Sequence, residues 1–152
     1  MTRPTDNRWL RSFDVMVWRD ELTTVAAVAV GGAIGASGRW AAGTQLAPVD
    51  ADGFPWNTFV VNVVGCFLIG LASTRIPRPS LGWAFVATGV LGGFTTMSSF
   101  AVELNDLADA SATRTMIVYL VATLAAGYGA LLLAQVPRGP VDDIAEGPEV
   151  IG

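Results

Sequence analysis

Residues 80–104 read SLGWAFVATGVLGGFTTMSSFAVEL, and no charge falls between Pro79 and Val102. Spanning a hydrocarbon core takes about 20 mostly apolar residues, so the stretch predicts a transmembrane helix. Its centre does not suit one. Gly92, Gly93, Thr95, Thr96, Ser98 and Ser99 crowd into eight positions. Paired glycines weaken a helix, and backbone freed in a membrane must be satisfied by protein or by a water-filled path, never by lipid. The run therefore predicts a helix broken at depth. Carbonyl oxygens at such a break suit a cation; N–H groups and nearby hydroxyls suit an anion. The plainer alternative is a glycine-rich packing face.

The rest of the chain repeats the apolar pattern. Arg39 is the only charge between Leu22 and Leu46, and none falls between Gly53 and Thr74 or between Thr115 and Val136. The 152 residues thus predict an all-α membrane protein with four transmembrane helices, near 22–46, 56–74, 80–104 and 115–135. Composition agrees: 52% of residues are hydrophobic and only 14% charged, where soluble proteins carry about 25%. Mean hydropathy is +0.50. The polar segment before the first span and the length of that span do not fit a secretory signal peptide. Three regions follow: a cytoplasmic N-terminal segment (1–21), a four-helix membrane domain (22–136) and a disordered acidic tail (137–152). Residues 14–21 predict an interfacial helical turn with Trp18 as its anchor, and Ser111 or Thr113 is the expected cap of the fourth helix.

Several function classes drop out. The chain has no histidine and one cysteine, Cys66. Histidine-based catalysis, Cys–His dyads, His/Cys metal sites and internal disulfides are excluded. A net charge of −4, with no lysine and nine arginines, excludes a basic nucleic-acid surface. The arginines also set orientation. Seven of them (Arg3, Arg8, Arg11, Arg19, Arg75, Arg78 and Arg138) fall on one side of a four-span topology, and Arg114 alone on the other. The positive-inside bias predicts that both termini are cytoplasmic.

Small residues predict close helix contacts. Gly31 and Gly35, with Ala27 a turn before, form a small-xxx-small face on the first span, and Gly127 and Gly129 sit among alanines on the fourth. Polar residues at depth are costly and tend to be functional. Asn62 lies mid-span on one face with Thr58, Gly65 and Ile69, while Tyr119, Thr123 and Gly127 recur every four residues on the fourth span. Each face is a narrow polar track without a group that titrates near neutral pH. Interhelical hydrogen bonding is the alternative reading for both. Glu103, at the end of the third span, reads as an interfacial carboxylate.

Three motifs carry a resemblance. GGAIGASGR (31–39), NTFVVNVVGCFLIG (57–70) and GVLGGFTTMSSFAVE (89–103) follow one another in a four-span chain. Together with the Tyr119-Thr123-Gly127 track, they resemble the CrcB/Fluc family of fluoride channels over residues 31–131. The resemblance implies an antiparallel, dual-topology-type dimer with two anion pores and a central sodium ion. It implies that Asn62 donates its amide to fluoride, with Thr58 on the same wall. Phe100 matches the second phenylalanine of a TTFSTF-like motif whose ring edges face the anion. Ser98 and Ser99 match its hydroxyls, and Tyr119 and Thr123 the fourth-helix track. Arg39 is similar to an arginine near the entrance. Gly92 and Thr95 match residues whose backbone carbonyls hold sodium.

One position departs from that pattern. Met97 stands where the family's first phenylalanine is expected, and a thioether lacks the positive ring edge. The arginine bias bears on the partner. A fixed orientation favours a related, oppositely inserted chain over a second copy. The expected function is passive, fluoride-selective export that relieves toxicity. The rivals are a small four-span drug/proton antiporter, which needs an embedded carboxylate, and a partly structural subunit of a heterodimeric channel.

Overall fold

The computed structural model describes residues 8–45 and 53–136. The expected acidic tail, 137–152, lies outside the described residues, and so does the side chain of Trp18. Within them the chain is all-helical, and four helices are long and apolar enough to cross a membrane: Asp20–Thr44, Trp56–Arg75, Leu81–Asp109 and Thr113–Gln135. One continuous helix, α1 (Arg8–Gln45), runs through both the expected turn at 14–21 and the first span.

Helix α2 (Trp56–Arg75) starts without a side-chain cap. Pro55 starts it instead, with φ −74° and ψ 73°. Those values define an inverse γ-turn, closed by the Trp56 N–H donating to the Phe54 carbonyl at 2.8 Å. The ring fixes φ near the value this turn needs. The helix stops where Ile76 turns extended, just before Pro77.

The third span is built in pieces. Ser80 caps α3 (Leu81–Trp83) by accepting from the Trp83 N–H at 3.0 Å. A π-helical segment (Ala84–Leu91) follows, then α4 (Gly92–Phe94) and α5 (Met97–Asp109). Thr95 (φ −73°, ψ 158°) and Thr96 (φ −144°, ψ 116°) are extended, so the span bends there. The glycine pair expected to loosen the helix stays helical, with Gly92 at φ −65° and ψ −35°. Its function is close approach: a Cβ on Gly93 would meet the Gly32 carbonyl oxygen. On the facing helix, a Cβ on Gly31 would lie 2.5 Å from the Phe85 carbonyl oxygen, and one on Gly35 would meet that of Val90. Span one thus packs backbone to backbone against the π segment and α4, as small-residue faces allow in lipid.

Helix α6 (Thr113–Gln135) packs along α2. Its cap corrects an expectation. Ala112 occupies the N-cap with no side-chain bond, and neither Ser111 nor Thr113 serves. Ser111 is claimed by the end of α5, where it takes the left-handed conformation at φ 57°. Its N–H donates to the Ala108 carbonyl at 3.0 Å and that of Ala112 to Leu107 at 2.9 Å. This pair of bonds is a Schellman motif, completed by apolar packing of Ala112 with the cluster that contains Leu107. That cluster of Phe100, Leu107 and Tyr119 is a buried core cluster, ringed by Phe54, Phe59, Leu104 and Met116. Most other large apolar side chains, including Val60, Leu68, Leu124 and Leu133, are exposed, as suits helices facing lipid or another subunit.

Candidate functional site

The bend at Thr95–Thr96 removes helical bonds, and Asn62 replaces two partners. Its side-chain amide donates from Nδ2 to the Thr96 carbonyl at 3.0 Å. Its Oδ1 accepts from the Thr96 N–H at 2.9 Å. One side chain from α2 thereby stands in for a peptide unit. Thr96 also begins α5: its Oγ1 accepts from the Ser99 N–H at 3.1 Å, donates to Ser99 Oγ at 3.0 Å and lies 3.2 Å from Ser98 Oγ.

These bonds leave two carbonyls without their usual donors. In an unbroken α-helix the N–H of residue i+4 bonds the carbonyl of residue i. The Thr96 N–H, due to Gly92, goes to Asn62, and the Ser99 N–H, due to Thr95, goes to Thr96 Oγ1. Arg39 reaches one of the two, with Nη1 3.4 Å from the Thr95 carbonyl oxygen.

Two cavities meet at Thr96. A groove of about 460 Å³ opens on the face formed by α2, α6 and the third span. It is lined by Asn62, Gly92, Thr95, Met97, Phe100 and Thr123 among the expected site residues. It runs along α2 as far as Ile69 and along α6 as far as Leu131. The second cavity, about 560 Å³, lies toward the other end, beside Gly43 and Asn57. Arg39, Thr58, Ser98 and Ser99 line it. Thr96 lines both. The expected residues are therefore split between two compartments with a shared wall.

Within the groove, Met97 projects freely, 73% exposed, whereas Phe100 is 3% exposed. Thr123 is buried, and its Oγ1 has no partner among the described residues. Gly127 permits close packing of α6 on α2, since a Cβ there would lie 3.3 Å from Cys66 Sγ. Gly65 makes room for Thr95, whose Cγ2 a Cβ would meet.

Tyr119 lines neither cavity and has no exposed surface. Its hydroxyl donates to Glu103 Oε2 at 2.6 Å, and Thr58 Oγ1 donates to Glu103 Oε1 at 2.6 Å. Both bonds are short for hydroxyl–oxygen pairs. Glu103 is thus tied inside the helix layer rather than being a loose interfacial group. Sequence reasoning placed it at the membrane interface, although Phe100, Glu103 and Leu107 fall at i, i+3 and i+7 on one face of α5, where the first and last are buried. Thr96 and Asn57 also escaped selection. Asn57 Oδ1 is buried without a partner among the described residues.

Comparison with known proteins gives the chain a family. The family described as CrcB-like protein, Camphor Resistance (CrcB), matches residues 26–135. A Streptomyces avermitilis protein named Fluoride-specific ion channel FluC 2 is 49% identical over 111 residues, 70% of each chain. Fluoride-specific ion channel FluC 1 of Streptomyces coelicolor is 45% identical over 121 residues, 77% of this chain and 78% of that one. Fluoride-specific ion channel FluC of Agrobacterium fabrum is 39% identical over 114 residues, 72% of this chain and 91% of its own. The matched region takes in all of α2 and α6, the bend, Asn62 and both cavities, and the chain belongs to the CrcB family.

Proposed function

We propose that the chain is a subunit of a fluoride-selective channel of the cell membrane that lets fluoride leave the cytoplasm passively. The observation that carries the reading is membership of the CrcB family, whose relatives are named fluoride-specific channels, together with neutral donors at the bend. Hydrogen fluoride enters cells as a neutral acid and dissociates; an anion-selective path then drains fluoride with the membrane potential.

The residues act as follows. Arg39, Ser98 and Ser99 gather the anion in the cavity beside Asn57. Asn62 carries two amide hydrogens; one is used by Thr96 and the other serves the anion. Thr123 offers its hydroxyl from α6, and Phe100 a ring edge from α5. Thr58 and Tyr119 reach fluoride only by turning from Glu103, so the carboxylate stands in for the anion between passages. Donors of this kind bind weakly at several places, which permits rapid exit.

The bend at Thr95–Thr96 serves as the break in the third helix. Its Gly92 and Thr95 carbonyls have lost their helical donors, and oxygen ligands of this kind suit a hard cation. Those two residues would hold a structural sodium ion, which supplies positive charge that ties the bend together. The groove is left open by one chain, which supports an antiparallel dimer. The seven-to-one arginine bias, with both termini cytoplasmic, favours a related chain of opposite orientation as the partner.

Purified chain in liposomes tests the function. Fluoride efflux that survives collapse of the pH gradient supports the channel. Efflux abolished by that collapse points to proton coupling through Glu103, the antiporter reading. No flux of any ion marks a structural subunit, and a stable conducting dimer from this chain alone removes the unlike partner.

A further inference from the structure

The connection before α2 sends one side chain back into the helix layer. The inverse γ-turn at Pro55 returns Phe54 against Trp56 and Phe59, with ring centroids 4.6 and 5.4 Å apart. The same ring meets Tyr119 edge-on, at 5.3 Å and an interplanar angle of 83°. Phe100 packs against Tyr119 as well, at 5.0 Å and 57°. Tyr119 is therefore held between a ring from the loop and a ring from α5, and its hydroxyl ends on Glu103 at 2.6 Å.

From this geometry we infer that Phe54 is a positioning residue of the anion path. Its ring pairs are with Trp56, Phe59 and Tyr119, and it lines neither cavity. It fixes the Tyr119 ring, and through it the direction of the Tyr119 hydroxyl and the Glu103 carboxylate. Edge-to-face pairs are directional, so a leucine of similar apolar bulk fills the space without setting the angle. Pro55 makes the arrangement rigid by locking the turn that delivers the ring. The inference rests on the reading that fluoride passes along this row of groups.

The test compares initial fluoride efflux from liposomes for wild type, Phe54→Leu, Phe54→Tyr, Tyr119→Phe and the double variant Phe54→Leu/Tyr119→Phe. Size-exclusion profiles first establish that each variant is assembled as wild type is. Phe54→Leu is expected to slow efflux by about threefold to tenfold, the worth of one directed aromatic pair. Phe54→Tyr, which keeps the ring, stays within about twofold of wild type. In the Tyr119→Phe background the leucine adds less than about twofold, because the hydroxyl it misdirects is gone. Unchanged efflux in Phe54→Leu, or the same factor lost in both backgrounds, overturns the inference. A wild type that conducts no fluoride refutes the conduction reading instead. The ring-carbon resonances of the two tyrosines then decide the contact alone. Phe54→Leu must shift Tyr119 and leave Tyr128 in place, and an unmoved Tyr119 overturns the positioning role.

Discussion

Replacing Asn62 separates its work in the fold from its work in conduction. In Asn62→Ala, the Thr96 N–H and C=O lose partners at 2.9 and 3.0 Å. A buried backbone group without a partner costs about 1–3 kcal/mol, so the pair predicts about 2–6 kcal/mol. Thr96 is 6% exposed yet lines both cavities. Water entering either one replaces part of the loss, which favours the lower half, about 2–4 kcal/mol. Asn62→Asp keeps an acceptor for the Thr96 N–H and the side-chain volume, but sets a carboxylate oxygen against the Thr96 carbonyl in place of the amide donor. The lost bond costs about 1–3 kcal/mol, and the unpaired charge adds to it. Thermal unfolding in detergent should place both variants below wild type. Fluoride efflux should be lost in both, because a carboxylate repels the anion and alanine cannot bind it. An Asn62→Ala protein that melts with wild type refutes the view that Asn62 replaces the missing helical partners. An Asn62→Asp protein that conducts normally removes Asn62 from the anion path.

Other substitutions probe separate features. Gly35→Ala places a methyl on the Val90 carbonyl and should destabilise by about 1–3 kcal/mol, whereas Gly129→Ala, with nothing within 4 Å, should be neutral or gain up to about 1 kcal/mol in the same melts. Glu103→Ala leaves the hydroxyls of Thr58 and Tyr119 without their acceptor and should lower stability by about 1–3 kcal/mol; an unchanged melting temperature would show that the carboxylate holds neither. Met97→Phe alters a freely projecting side chain, so unfolding should move by no more than about 0.5 kcal/mol, while fluoride efflux rises if the missing ring edge limits conduction.

The spans were legible because a membrane helix writes itself as absence of charge over a fixed length. Gly31 and Gly35 were legible because four-residue spacing of small residues has one geometric use in lipid. The bend was harder to place. Gly92 and Gly93 carry the strongest local signal of backbone freedom, but both stay helical, and span one needs the missing side chain of Gly93 for contact. The extended dihedrals fall instead at Thr95 and Thr96, where Asn62 and the Thr96 hydroxyl supply substitute partners. The Asn62 partner comes from another helix and leaves no local mark. Glu103 was misjudged for the same reason: its distance from the span centre suggested water, while its bonds run to α2 and α6. The cap of α6 failed because Ser111 was already engaged by the preceding helix.

The shared wall at Thr96 has an electrical consequence. On the proposed fluoride path, with water in both openings, a transmembrane voltage drops mainly where the protein between them is thinnest. One cavity lies toward the Asn57 end of α2 and the groove extends toward Leu131 of α6, with the Thr96 peptide between them. Charge crossing the whole potential gains about 2.3 kcal/mol per 100 mV, and most of that work is concentrated on this short step. Changes at Asn62 or Thr96 should therefore alter how steeply current depends on voltage.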